Sequence, residues 1–146
     1  MKVSDIMTRE VITVKKETPL KEAAGILAKL RIHGMPVTDD NNKIEGIITE
    51  SDFFMKDNSN IYLPTFFEFI KKGGAYASKG INTEQLDKIS KVKDIMTGDC
   101  VTINSNASVE QLVHLFQEKK FNSLPVVNDE GLLMGIVTIM DVIKLF

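Results

Sequence analysis

The chain has 146 residues, 43% apolar and 26% charged, with 20 acidic against 18 basic side chains for a net charge of −2. That is an ordinary globular composition at the length of about one domain, enough to bury roughly two-thirds of the unfolded surface. The charge balance argues against a nonspecific nucleic-acid binder and gives no reason for adhesion to an anionic membrane. The longest apolar stretch, residues 132–140, falls far short of the roughly 20 that span a bilayer. No apolar run follows the first residues, as a signal peptide would require. The single cysteine, Cys100, excludes an internal disulfide, and no Cys/His cluster has zinc-site spacing. The expectation is a soluble, cytoplasmic protein.

In chain order, Val3-x-Asp5-Ile6-Met7-Thr8 precedes a β-branched run at 11–14 that reads as a strand. Thr18-Pro19 opens a helix, with proline in the first turn, where its missing N–H costs nothing. Leu20, Ala23, Ala24, Leu27 and Leu30 share one face of that helix, which Lys21, Glu22 and Lys29 mostly avoid. Gly34 ends it. Residues 35–38 form a second strand, 39–42 a turn and 44–49 a third strand, and a shorter helix starts after Thr49. A linker at 56–91 follows, with helices expected at 61–72 and 84–89, broken by Gly73-Gly74. The same series then recurs: a strand at 101–103, a helix carrying Val109, Leu112, Val113 and Phe116 with Ser108 as its cap, strands at 124–127 and 132–138 around a turn, and a final helix after Thr138.

The recurrence is a duplication. Residues 3–55 align with 92–144 without a gap, at a constant offset of 89, and 13 of the 53 positions are identical. The identities cluster in Val-x-Asp-Ile-Met-Thr, Pro-Val and Gly-Ile-x-Thr-x-x-Asp. The expected organisation is therefore a first repeat at 1–55, a helical linker at 56–91 and a second repeat at 92–146. The fold class is α/β (α+β), with β-α-β-β-α repeats related by a pseudo-twofold axis. A unit of about 53 residues makes a marginal core alone, so the copies are expected to pack together through equivalent surfaces. The cleft between them is the first place to look for a ligand.

Gly-Ile-x-Thr-x-x-Asp puts Thr49 and Thr138 at strand ends, with Asp52 and Asp141 three residues on in the first turn of a helix. Two readings fit. Thr-x-x-Asp resembles a capping box, which is structural. The same geometry offers helix N–H groups and a hydroxyl to a phosphate, and a carboxylate to the two hydroxyls of a ribose.

Asp-Ile-Met-Thr before the first strand, Gly-Met-Pro-Val or Ser-Leu-Pro-Val at the second, and Gly-Ile-x-Thr-x-x-Asp at the third resemble the cystathionine β-synthase (CBS) domain. Two in tandem resemble a Bateman module, and the likeness covers about 106 of the 146 residues. It implies adenosine-containing ligands, AMP, ADP, ATP or S-adenosylmethionine, in two clefts between the repeats, with no cofactor required. Carried over, Asp52 and Asp141 hold ribose, with Thr49 and Thr138 beside them. The adenine walls are Ile12, His33, Gly34 and Met35 in one copy and Val101, Asn122, Ser123 and Leu124 in the other. The resemblance pairs Ile12 and His33 with Thr138 and Asp141, and Val101 and Asn122 with Thr49 and Asp52. Energy-sensing relatives often carry His-Arg where this chain has His33-Gly34 and Asn122-Ser123. The missing guanidinium disfavours a triphosphate and leaves room for a less charged adenosyl ligand. Lys15 and Lys16 are expected to be solvated.

No Ser/His/Asp, Cys/His or paired-carboxylate arrangement has persuasive spacing, so no enzyme is expected. Five of the eight phenylalanines, Phe53, Phe54, Phe66, Phe67 and Phe69, lie within residues 53–69, either packing the linker onto the repeats or forming a patch for association. The resemblance favours a homodimer that signals to a client protein. The alternative is a ligand-independent interaction or scaffold domain.

Overall fold

The structure is a computed structural model and describes residues 1–55, 91–119 and 121–146, with all their side chains except those of residues 54 and 55. The expected helices at 61–72 and 84–89, and Phe66, Phe67 and Phe69, lie outside the described residues.

Each copy is built on a helix and a β-hairpin. In the first, α1 (Leu20–Leu30) leads to β1 (Gly34–Thr38) and β2 (Ile44–Thr49), followed by the short α2 (Asp52–Met55). In the second, α3 (Val92–Ile95) and β3 (Ile103–Asn104) precede α4 (Val109–Lys119), β4 (Ser123–Val127), β5 (Leu133–Thr138) and α5 (Ile139–Ile143). The hairpins are the same object twice. Gly34 faces Thr49 and Ser123 faces Thr138, and both registers slip by one residue near the turn, at Val37/Thr38 and at Val126/Val127. Both turns need a left-handed residue at one position, which Asn42 (φ 65°) and Gly131 (φ 81°) fill, since asparagine and glycine tolerate it best.

Helix α1 buries Leu20, Ala23 and Leu27 and leaves Leu30 exposed. Its start differs slightly from expectation. Pro19 sits at the N-cap, outside the first turn, and the Thr18 hydroxyl accepts the Lys15 N–H at 3.1 Å. Its end differs more. Arg31, in the left-handed conformation (φ 53°), is the C-cap, and Gly34 begins β1. Gly34 is required for a different reason: a Cβ there would lie 2.9 Å from Thr49 Cγ2 and 3.1 Å from the Ile48 carbonyl oxygen. Helix α4 starts as expected at Ser108, whose hydroxyl accepts the Gln111 N–H while the Gln111 side chain accepts the Ser108 N–H, a reciprocal cap.

The strands expected at 11–14 and 101–103 are corrected. In the first copy only Val14 reaches the sheet, through a single parallel bridge to Val37. In the second, pairing begins at Ile103 and runs parallel to β4. The apolar residues before these points have left the sheet: Val11 and Ile12 line one cavity and Val101 another.

The repeats are completed by exchange. A 3-10 turn at Val3–Asp5 belongs to the second copy's core, where Val3 and Met7 pack with Ile103, Leu112, Leu124 and Val137. Reciprocally, Val92 and Ile95 pack in the first copy's core with Leu20, Leu27, Met35 and Ile48. Each arm is tied down by backbone. Val3 N–H donates to the Ala107 carbonyl at 2.9 Å, and Val92 N–H to the Thr18 carbonyl at 2.9 Å. Thr8 exchanges both backbone bonds with Ile136, as Thr97 does with Ile47. Asp5 and Asp94, shared by the two copies, cap these turns by accepting the N–H of Lys2 and Lys91. The turns of the two hairpins also join, with Leu133 N–H on the Asn42 carbonyl and the Asn42 side chain on the Leu133 carbonyl, each at 3.0 Å.

Candidate functional site

The crossing arms explain the first residue of Gly-Ile-x-Thr-x-x-Asp. A Cβ on Gly46 would stand 2.5 Å from the Thr97 carbonyl oxygen, and one on Gly135 would stand 2.6 Å from that of Thr8. Only glycine lets the arm lie this close to the strand. The arms thereby deliver Thr97 and Thr8 to the clefts between the copies.

Two cavities occupy those clefts. The first, about 370 Å³, is lined from the first copy by His33, Ile47, Thr49, Glu50, Ser51 and Asp52, and from the second by Thr97, Asp99, Cys100, Val101 and residues 121–125. The second, about 580 Å³, is lined by Thr8, Glu10, Val11, Ile12, residues 31–34, Asn122, Ser123, Ile136 and residues 138–140. His33, Asn122 and Ser123 line both.

Of the candidate site residues, Thr49, Asp52, Val101, Asn122, Ser123 and Leu124 come together in the first cavity. Ile12, His33, Gly34 and Thr138 come together in the second. Met35 is fully buried in the first copy's core and lines neither cavity. Asp141 is hydrogen-bonded to Thr138 but is not part of the second cavity's lining.

The two Thr–Asp pairs differ in detail. Asp141 Oδ2 accepts the Thr138 N–H at 2.8 Å and its hydroxyl at 3.1 Å, and the hydroxyl accepts the Asp141 N–H at 3.2 Å, a complete capping box. Asp52 is 7% exposed. Its Oδ2 accepts the Thr49 N–H at 2.8 Å, and its Oδ1 accepts the hydroxyl of Thr97, from the other copy's arm, at 3.1 Å. The first carboxylate thus ties helix, strand and arm at one point, whereas the second ties helix to strand.

The first cavity carries three carboxylates, on Glu50, Asp52 and Asp99. His33, on its rim, has Nδ1 3.3 Å from Glu50 Oε1. Burial pushes the Cys100 thiol upward, consistent with a half-buried apolar wall residue rather than a reactive thiolate. Lys15 and Lys16 are turned to other work, on the Asp39 carbonyl and on Glu45. The second cavity holds a cation that sequence reading missed, Arg31. The only signal was its closeness to His33, two residues on. Among the described residues, no group of three or more His, Cys, Asp or Glu side chains could hold a metal ion, and no helix is long and apolar enough to cross a membrane.

The model of the CBS domain matches residues 3–57 and 92–146. The chain belongs to the CBS domain family. Its two CBS repeats are 30% identical over 143 residues to part of inosine-5'-monophosphate dehydrogenase from Methanocaldococcus jannaschii, a match covering 98% of this chain but 23% of the dehydrogenase. The chain thus spans less than a quarter of the length of such relatives, and no dehydrogenase activity follows from the likeness. Among solved structures it resembles CBSX2 of Arabidopsis thaliana in complex with AMP, with TM-score 0.73, 27% identity and coverage of 99% of this chain and 94% of that one. It also resembles the CBS domain pair of protein MJ0100 in complex with 5'-methylthioadenosine and S-adenosyl-L-methionine, with TM-score 0.70, 25% identity and coverage of 100% and 99%.

Proposed function

We propose that this CBS pair is a regulatory module that binds adenosine-containing ligands in the two clefts between its repeats and passes their presence to another protein. The observation that carries this reading is the composite first cavity, in which Thr49 and Asp52 of one repeat face Val101 and residues 122–124 of the other. A ligand there touches both halves at once. The similar CBS pairs in complex with AMP, 5'-methylthioadenosine and S-adenosyl-L-methionine support an adenosyl compound as that ligand.

In this reading Val101 and Leu124 supply an apolar wall for adenine, and Asp52 accepts the ribose hydroxyls. Thr138 is the counterpart opposite Ile12 and His33, with Asp141 holding it from outside the cavity's lining. The volumes suit the task, since small-ligand pockets run from about 300 to 1,000 Å³. Signalling follows from differential affinity: a ligand shifts the arrangement of the repeats only by the difference in its binding free energy between arrangements. The Thr97–Asp52 bond supplies a route. A ribose hydroxyl that takes Asp52 Oδ1 competes with the Thr97 hydroxyl, and Thr97 belongs to the arm that completes the first repeat's core.

The second reading, an interaction domain, is favoured by one observation. Met140, Ile143, Leu145 and Phe146 are all exposed along α5 and the residues after it, an apolar row suited to self-association or a client. Equilibrium titration with AMP and S-adenosylmethionine, with GMP as the control, separates the readings. Sensing predicts saturable adenosyl binding, with that of S-adenosylmethionine weakened at least tenfold by Asp52→Asn. An interaction domain predicts no binding at millimolar ligand.

A further inference from the structure

The two cavities are symmetric in backbone but not in charge. Aligned through the repeat, Glu50 of the first occupies the place of Ile139 in the second, and Asp99 that of Glu10. Asp99 and Glu10 are matching acids, so the asymmetry comes from Glu50 against Ile139 and from Asp52, which lines its cavity where Asp141 does not: three lining carboxylates against one. His33 is shared and lies 3.3 Å from Glu50. In the second cavity, Arg31 is held at the wall by its left-handed backbone at the end of α1. Among the described residues its guanidinium has no ion-pair or hydrogen-bond partner. A guanidinium is a fork for phosphate oxygens. A lining of carboxylates repels the same group, the more strongly the less water lies between.

We propose that the two clefts sort adenosine ligands by charge. The Arg31–Thr138 cleft takes a nucleotide with a 5'-phosphate, held by the guanidinium. The Asp52 cleft refuses phosphate and takes an adenosine compound without one. This rests on the adenosyl reading above and goes beyond it by assigning a ligand class to each cleft. Single occupancy by either class then leaves the other cleft open, so the module reads two signals.

The test is calorimetric titration of the full chain with AMP and with 5'-methylthioadenosine, each alone and each with the other saturating. Sorting predicts one site for each compound and no competition between them. Arg31→Gln should weaken AMP about tenfold or more, the worth of a charge-assisted bond, and leave 5'-methylthioadenosine unchanged. Lys120→Gln, at the matching position of the second repeat, should not weaken AMP. The double variant Glu50→Gln/Asp99→Asn should raise the AMP stoichiometry from one to two. Arg31, Glu50 and Asp99 are exposed, and unchanged circular dichroism and melting would show that the variants fold. AMP affinity within twofold of wild type in Arg31→Gln, or competition between the two compounds for one site, overturns the sorting while leaving adenosyl binding intact. Failure of both compounds to bind overturns the adenosyl reading, and the sorting with it.

Discussion

At the scale of single residues, one motif carries two roles that physics assigns differently in its two copies. Thr138 and Asp141 form a full capping box. Asp141→Ala should therefore cost about 1 kcal/mol in urea unfolding, as a lost cap does, and in the sensing account it should also weaken ligand. Asp52 additionally carries the arm through Thr97, so its removal takes a charged partner from both the Thr49 N–H and the Thr97 hydroxyl and should cost about 1–3 kcal/mol. A smaller loss at Asp52 than at Asp141 would contradict that assignment. The glycines give a sharper test. Gly135→Ala forces a Cβ against the Thr8 carbonyl, and a melt should show about 1–3 kcal/mol of destabilisation, the usual cost of overpacking. Gly25→Ala is the control, because a Cβ there meets nothing within 4 Å. The Thr and Asp positions were legible in the sequence because the repeat printed them twice. The reason for the glycine was not, because it lies in a backbone far away in the chain, Thr97 for Gly46 and Thr8 for Gly135. Arg31 escaped notice because its place in the cavity depends on a left-handed turn that no glycine or asparagine announced.

Among elements, the exchanged arms matter most. Helix α3 places Val92 and Ile95, both fully buried, in the core of the opposite repeat. Ile95→Ala should cost about 2–5 kcal/mol in equilibrium unfolding, as other buried truncations do. A cost below 1 kcal/mol would show that the arm does not dock as described. The same arm is held at the surface by Glu17, which bridges Lys91 at 2.7 Å and Lys93 at 2.9 Å. The hydrogen bond from Lys91, then that from Lys93, pull the Glu17 carboxyl down from its usual 4.5 to about 2. The stabilisation is complete above about pH 4.5 and is lost as the pH falls towards 2. Glu17→Gln should flatten stability against pH across that window, by a small amount because the pair is exposed. An unaltered acid profile would show the bridge to be without effect. Helices α1 and α4 and both hairpins were legible from periodicity and turn residues. The strand expected at 11–14 was not formed as such, because β-branched apolar residues suit a cavity wall as well as a sheet. The partner of each arm was illegible for a plainer reason: six residues with two buried side chains fit either of two homologous cores.

For the whole molecule, duplication and exchange produce one body in which neither repeat is complete without the other. The clefts lie where the halves meet, bounded by the hairpins, the arms and the shared residues His33, Asn122 and Ser123. That the clefts lie between the copies followed from the repeat, but their unequal charge did not, because it depends on which side chains the folded backbone turns inward. The central claim is that an adenosyl ligand binds there and favours one arrangement of the pair. The most direct test is thermal unfolding of the purified chain across AMP, ADP, ATP, S-adenosylmethionine and NAD, with guanosine nucleotides as controls. The account predicts a selective rise with an adenosyl compound, equivalent to about 2.7 kcal/mol at one hundred times its dissociation constant, and, for S-adenosylmethionine, reduced in Asp52→Asn. No shift at millimolar concentration, or an equal shift with the guanosine controls, would contradict it.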